Sequence, residues 1–126
     1  MIQPNEIRIG NWVMHNGKAY QTTSIYVYNP INADRYVLVR LNTEQGVNTN
    51  DLYPIPLTED RMIKLGAEKY TPDNTYKLDG IIIDLKLGIA MLDCENCTPL
   101  LGICKYLHQL QNIYFIRKNK ELEIEL

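Results

Sequence analysis

Two dipeptides constrain this chain more than any other feature: Asn16-Gly17 and Asp79-Gly80. A two-residue hairpin turn needs positive φ at both central positions, and Asn or Asp followed by Gly tolerates that conformation. Both dipeptides lie between runs rich in β-branched and aromatic residues, so each predicts a tight antiparallel hairpin. A chain with a hairpin in each half is built largely from antiparallel strands.

Around the first turn, Ile7–Val13 reads as a strand with Ile7, Ile9 and Val13 on one face. The return strand, AYQTTSIYVY, spans residues 19–28. Strand alternation places Ala19, Thr23, Ile25 and Val27 on one side and Tyr20, Thr22, Ser24, Tyr26 and Tyr28 on the other. The loop NPINAD, with Pro30, Asn32 and Asp34, leads to RYVLVRL, whose Val37, Val39 and Leu41 share a face. In LYPIPL, Pro54 and Pro56 allow only an edge strand or an extended segment. Several short strands within residues 1–57 predict a small antiparallel barrel-like lobe. The pattern Ile7-x-Ile9-Gly10-x-Trp12-Val13 before a hairpin resembles the opening strand pair of Src-homology-3-type barrels.

Residues 58–126 read differently. Thr58 offers a helix N-cap, Glu59 and Asp60 place negative charge in the first turn, and Gly66 marks the stop, which predicts a short helix. AEKY, TYKLDGIIIDLKL, GIAMLD and PLLGICKY then suggest a second meander. A C-terminal helix starts near Leu107 without a conventional cap, and the alternating ELEIEL has a strand pattern. The expected class is α+β in a single domain of 126 residues, with 45% hydrophobic and 22% charged residues.

Charge and composition narrow the function classes. A net charge of −2 argues against a dominant electrostatic grip on nucleic acid. No apolar run approaches the roughly 20 residues that span a bilayer, and MIQPNEIRIGNW lacks a signal-peptide pattern. Three cysteines, an odd number, fit a reducing compartment. These features together predict a cytoplasmic protein that does not bind membrane.

The segment KYLHQLQNIYF, residues 105–115, is the densest in polar and aromatic groups. On a helix, Leu107, Leu110, Ile113, Tyr114 and Arg117 form one stripe. His108, Gln111, Asn112 and Phe115 form an adjacent one. The first stripe explains folding. The second is either bonded to loop backbone or a binding surface for a partner.

The opening NEIRIGNWV (5–13), the middle PIPLTED (54–60) and LHQLQNIYF (107–115) together resemble a family of small proteins found in Bacteroides-group genomes. That family often accompanies phages and integrated mobile elements. The resemblance brackets most of the chain, with little in residues 67–104, and IRKNK stands where the family has a small-residue turn. It implies a lineage and no activity.

Other constellations are sparse. Cys94 and Cys97 have the spacing of a metal half-site, and Cys104 and His108 follow, so a Cys3His zinc site is an alternative to a chain that folds without metal. No phosphate loop, nucleophile elbow or HExxH is present, and the aspartates are dispersed, so no enzyme activity and no cofactor are expected. Tyr20, Tyr26 and Tyr28, with Arg35 and Arg40, outline a stacking platform for single-stranded nucleic acid. The basic Arg117, Lys118 and Lys120 are offset at once by Glu121, Glu123 and Glu125. The sequence therefore favours a non-enzymatic module for a protein partner or self-association, with weak nucleic-acid binding as the alternative.

Overall fold

The structure, a computed structural model, describes residues 1–31, 36–42 and 46–125. The chain is mixed α+β and divides into two compact units, residues 1–55 and 56–126.

The first unit holds a four-stranded antiparallel sheet in the order β1 (Trp12–His15), β2 (Lys18–Tyr28), β3 (Tyr36–Leu41), β4 (Gly46–Asn48). The hairpin forms at the expected dipeptide: Asn16 and Gly17 have φ of 51° and 78°, and His15 pairs with Lys18. The strand expected over Ile7–Val13 is shorter and begins at Trp12. Residues 8–11 turn instead, because Gly10 adopts φ 96°, the Asn11 N–H bonds the Arg8 carbonyl, and the Asn11 side chain accepts the Arg8 N–H at 2.7 Å. That turn leaves Ile9 exposed while Ile7 stays in the core. A single-turn 3-10 helix, Thr49–Asp51, follows β4, and Asn48 caps it by accepting the Asn50 N–H. Tyr53 then bridges back to Met14 with two bonds of 2.8 and 2.9 Å. That bridge is isolated, and no closed barrel forms among the described residues. The core is Ile2, Ile7, Val13, Val39, Leu41, Val47 and Leu52.

The second unit begins with α1 (Glu59–Lys64), capped by the Thr58 hydroxyl accepting the Arg61 N–H and closed by Gly66 at φ 86°. A five-stranded antiparallel meander follows: β5 (Glu68–Thr71), β6 (Thr75–Leu78), β7 (Ile81–Asp84), β8 (Ile89–Leu92) and β9 (Leu100–Ile103). Asp79 and Gly80, at φ 49° and 84°, make the predicted β6–β7 turn. The helix α2 (Leu107–Lys118) does have a start signal. The Gln109 side chain reaches back to accept the N–H groups of Lys105 and Tyr106, at 2.9 and 3.2 Å, satisfying donors that a helix start leaves open. Asn119 ends the helix in the left-handed conformation.

Leu110 and Tyr114 of α2 join Met62, Tyr76, Leu78, Ile81, Ile83, Ala90 and Cys104 in this unit's core, and Leu107 is buried as well. The tail does not form the expected strand among the described residues. Its alternation is nevertheless real in burial: Leu122 and Ile124 pack on the core while Glu121, Glu123 and Glu125 stay exposed. A strand pattern needs a neighbouring ladder as well as a buried face, and among the described residues no strand pairs with this tail.

Candidate interaction surface

The tyrosines of β2 are divided by one irregularity. Thr22 pairs with Leu41 but Ser24 pairs with Arg40, so Thr23 is an extra residue, a β-bulge. Its hydroxyl donates to the Arg40 carbonyl at 3.1 Å, and the neighbouring Thr22 hydroxyl donates to the Arg8 carbonyl. Residues directly opposite in an antiparallel pair share a face. Upstream of the bulge, Tyr20 lies opposite buried Val13 and Thr22 opposite buried Leu41, so both point inward. Downstream, Ile25 opposes buried Val39 and takes the inner face, whereas Tyr26 and Tyr28 take the outer one. The single tyrosine face expected from strict alternation is therefore split: Tyr20 packs against the core cluster and leaves the platform.

A tyrosine the sequence reading passed over replaces it. Tyr36 lies opposite Tyr28, and their rings stack at 5.3 Å and 12°. Tyr26 stands 6.5 Å from Tyr28, tilted, and the Arg40 guanidinium covers its ring at 5.7 Å. Tyr26, Tyr28 and Tyr36 are 41%, 43% and 40% exposed. The signal that locates Tyr36 is cross-strand register, which appears only once β2 and β3 are paired. Arg40 is the one charged residue this face carries among the described residues of β2, β3 and β4. Arg35, expected beside the tyrosines, lies outside the described residues, as do Asn32 and Asp34.

The second expected surface is not on the outside. His108 and Gln111 are each 1% exposed, with the His108 ring stacked on Tyr106 at 6.1 Å. Asn112 and Phe115 are half-buried. Helix α2 thus buries the histidine–glutamine stripe along with the leucine stripe, so these four side chains do not make an exposed docking face.

The cysteine constellation also separates. Among the described residues no group of three or more His, Cys, Asp or Glu is arranged to hold a metal ion. Cys104 is buried in the core, Cys94 is half-buried and Cys97 is exposed, so Cys94, Cys97, Cys104 and His108 do not meet as a zinc site. Burial pushes the Cys104 thiol up to about 12, which keeps it protonated and hydrophobic in character.

The second unit also has a cleft of about 280 Å³ lined by Asp79, Tyr114, Lys120 and Glu123 among others. There the Tyr114 hydroxyl donates to Asp79 at 2.6 Å, and this bond, with burial and the nearby carboxylates, pushes the phenol up to about 12. Burial first, and then the Glu59 carboxylate, do the same to Tyr76, whose hydroxyl has no partner in hydrogen-bond geometry among the described residues. These groups hold their protons tightly, the reverse of what a general base or nucleophile at neutral pH requires. No helix among the described residues is long and apolar enough to cross a membrane. Comparison with protein-family models, with curated proteins and with solved structures returns no match.

Proposed function

We propose that this protein is a non-enzymatic interaction module that engages a protein partner through the outer face of β2 and β3. The observation that carries the reading is the exposed row of Tyr26, Tyr28 and Tyr36, with Arg40 over the Tyr26 ring at one end. Tyrosine supplies large, rigid, amphipathic contact area, and aromatic residues with arginine are the groups enriched at protein interfaces. Single-stranded nucleic acid fits less well. A stacking platform needs open ring faces and a basic track. Here Tyr28 and Tyr36 cover one face of each other, Arg40 covers one face of Tyr26, and no second described cation accompanies it.

The chain β1–β2–β3–β4, one 3-10 turn, then a bridge back to β1 supports reading the first unit as Src-homology-3-like. The motifs at 5–13, 54–60 and 107–115 support a phage or mobile-element lineage, which the genes flanking this one test, and the odd number of cysteines supports residence in the cytoplasm.

The experiment is quantitative affinity capture from a host-cell extract with the wild-type chain and with Tyr26→Ala/Tyr28→Ala, foldedness being checked by Trp12 fluorescence. A protein captured by the wild type and lost with the double variant is the expected result. Single-stranded DNA binding by anisotropy at about 150 mM salt should be no tighter than the usual non-specific range of about 10⁻⁴–10⁻⁶ M. Submicromolar binding that Tyr26→Ala weakens would replace the protein partner with nucleic acid.

A further inference from the structure

The two edges of the five-stranded sheet are unlike. β5 carries Glu68 and Lys69, the charged kind of edge that resists pairing with another strand. β9 is the opposite: from Cys97 to Cys104, eight residues, there is no charge at all. Among the described residues its only strand neighbour is β8.

Backbone alternation shows what that edge offers. The Cys104 N–H bonds the Gly88 carbonyl of the preceding turn at 2.8 Å, so Cys104 is turned toward β8 and Ile103 away from it. The Leu92 N–H bonds the Pro99 carbonyl at 2.9 Å, which turns Leu100 outward as well; the register shift at Leu101 is what lets Leu100 and Ile103 share the open edge. Two residues past Ile103 the chain uses this edge itself: the Leu57 N–H bonds the Lys105 carbonyl at 3.0 Å, beside an isolated antiparallel bridge between Pro56 and Tyr106. That cover stops there, and β9 itself is left open. Leu100 and Ile103 are 65% and 63% exposed. They lie opposite Met91 and Ile89, so an apolar strip runs onto the edge.

We infer that β9 pairs antiparallel with β9 of a second copy, about a two-fold axis, to make a dimer with one continuous sheet. The occupant follows from self-complementarity. A neutral strand set against itself meets no like charge, its outward N–H and C=O groups find partners, and Leu100 and Ile103 of both copies leave water together. A four-residue strand buries far less than the roughly 800 Å² per partner of a standard interface, so the dimer is weak and concentration-dependent. This inference does not rest on the tyrosine face, which belongs to the other unit.

Sedimentation equilibrium of the full chain in reducing buffer, which keeps Cys97 from linking copies, tests it. The wild type should shift from monomer to dimer with rising concentration, and the amides of Leu100 and Ile103 should gain hydrogen-exchange protection over the same range. Ile103→Lys, and independently Leu100→Lys, should raise the dimer dissociation constant at least about tenfold, since each sets like charges near one another across the axis. Both side chains are exposed, so neither change should unfold the monomer. A chain that stays monomeric throughout overturns the inference. So does a dimer that both lysine variants leave unchanged, including one that Tyr28→Ala abolishes.

Discussion

Tyr114→Phe removes one oxygen and tests how the second unit is held together. The Tyr114 hydroxyl joins α2 to the β6–β7 turn through a 2.6 Å bond to the Asp79 carboxylate. A hydrogen bond to a charged group contributes about 1.5–3 kcal/mol, but Asp79 is exposed and water competes for it, which brings the expectation down to about 1–1.5 kcal/mol. Phenylalanine keeps the buried ring, so no cavity term is added. The assay must follow the right unit. The single tryptophan, Trp12, lies in the first unit, so far-UV circular dichroism or hydrogen exchange in α2 has to follow urea unfolding. With a urea slope of about 1–3 kcal/mol per molar, the midpoint should fall by roughly 0.3–1.5 M at neutral pH. The pH dependence is the sharper part. The fold raises this phenol from its ordinary 10 to about 12, so it is the neutral form that the native state favours. The stabilisation is complete below about pH 10 and is lost as pH rises through about 12. The gap between wild type and Tyr114→Phe should therefore hold up to pH 10 and close above it. Equal midpoints at neutral pH, or a gap that widens above pH 10, would refute the reasoning.

Leu110→Ala should cost about 2–5 kcal/mol, because Leu110 is fully buried between α2 and the second sheet, and loss of under 1 kcal/mol in denaturant titration would contradict that packing. Of the three thiols, Cys97 should react with a thiol reagent at once, whereas Cys104 should react only on unfolding; fast native labelling of Cys104 would show that its burial is overstated.

Much of the fold is written locally. Asn16-Gly17, Asp79-Gly80, Thr58 and Gly66 each act within a few residues, and each forms the turn, cap or stop its chemistry dictates. What the sequence conceals depends on partners far along the chain. The Thr23 bulge offsets the alternation of β2, but only the β3 register reveals the offset, so Tyr20 goes inward and Tyr36 joins Tyr26 and Tyr28. Polarity is also a poor guide to exposure on α2. His108 and Gln111 are as buried as Leu107, because the buried face of α2 is broad enough to take them in beside Leu107, Leu110 and Tyr114. The cysteine spacing misleads for a related reason: close ligands in sequence bind metal only when the intervening backbone turns them toward one point, and here a strand carries them apart.

The far end of β2 has a thermodynamic consequence. Beyond Tyr26, whose partner Leu38 is the last residue of β3 paired to β4, β2 and β3 run on as a two-stranded ribbon. Among the described residues that ribbon touches the core only through Val37, and Val27 and Tyr28 are exposed. A two-stranded ribbon is marginal in water without a hydrophobic face to rest on. The ribbon's own cross-strand contacts, the Tyr28–Tyr36 stack above all, therefore carry much of its order. The rings that a partner would touch are the same rings that keep the ribbon in shape, so ordering and recognition draw on one set of contacts. An alanine at Tyr28 would lower affinity twice, by removing contact area and by releasing the ribbon into other conformations that a partner must first select against. Tyr28→Phe keeps the stack and removes only the hydroxyl, so the difference between the two substitutions measures how much of the affinity is preorganisation.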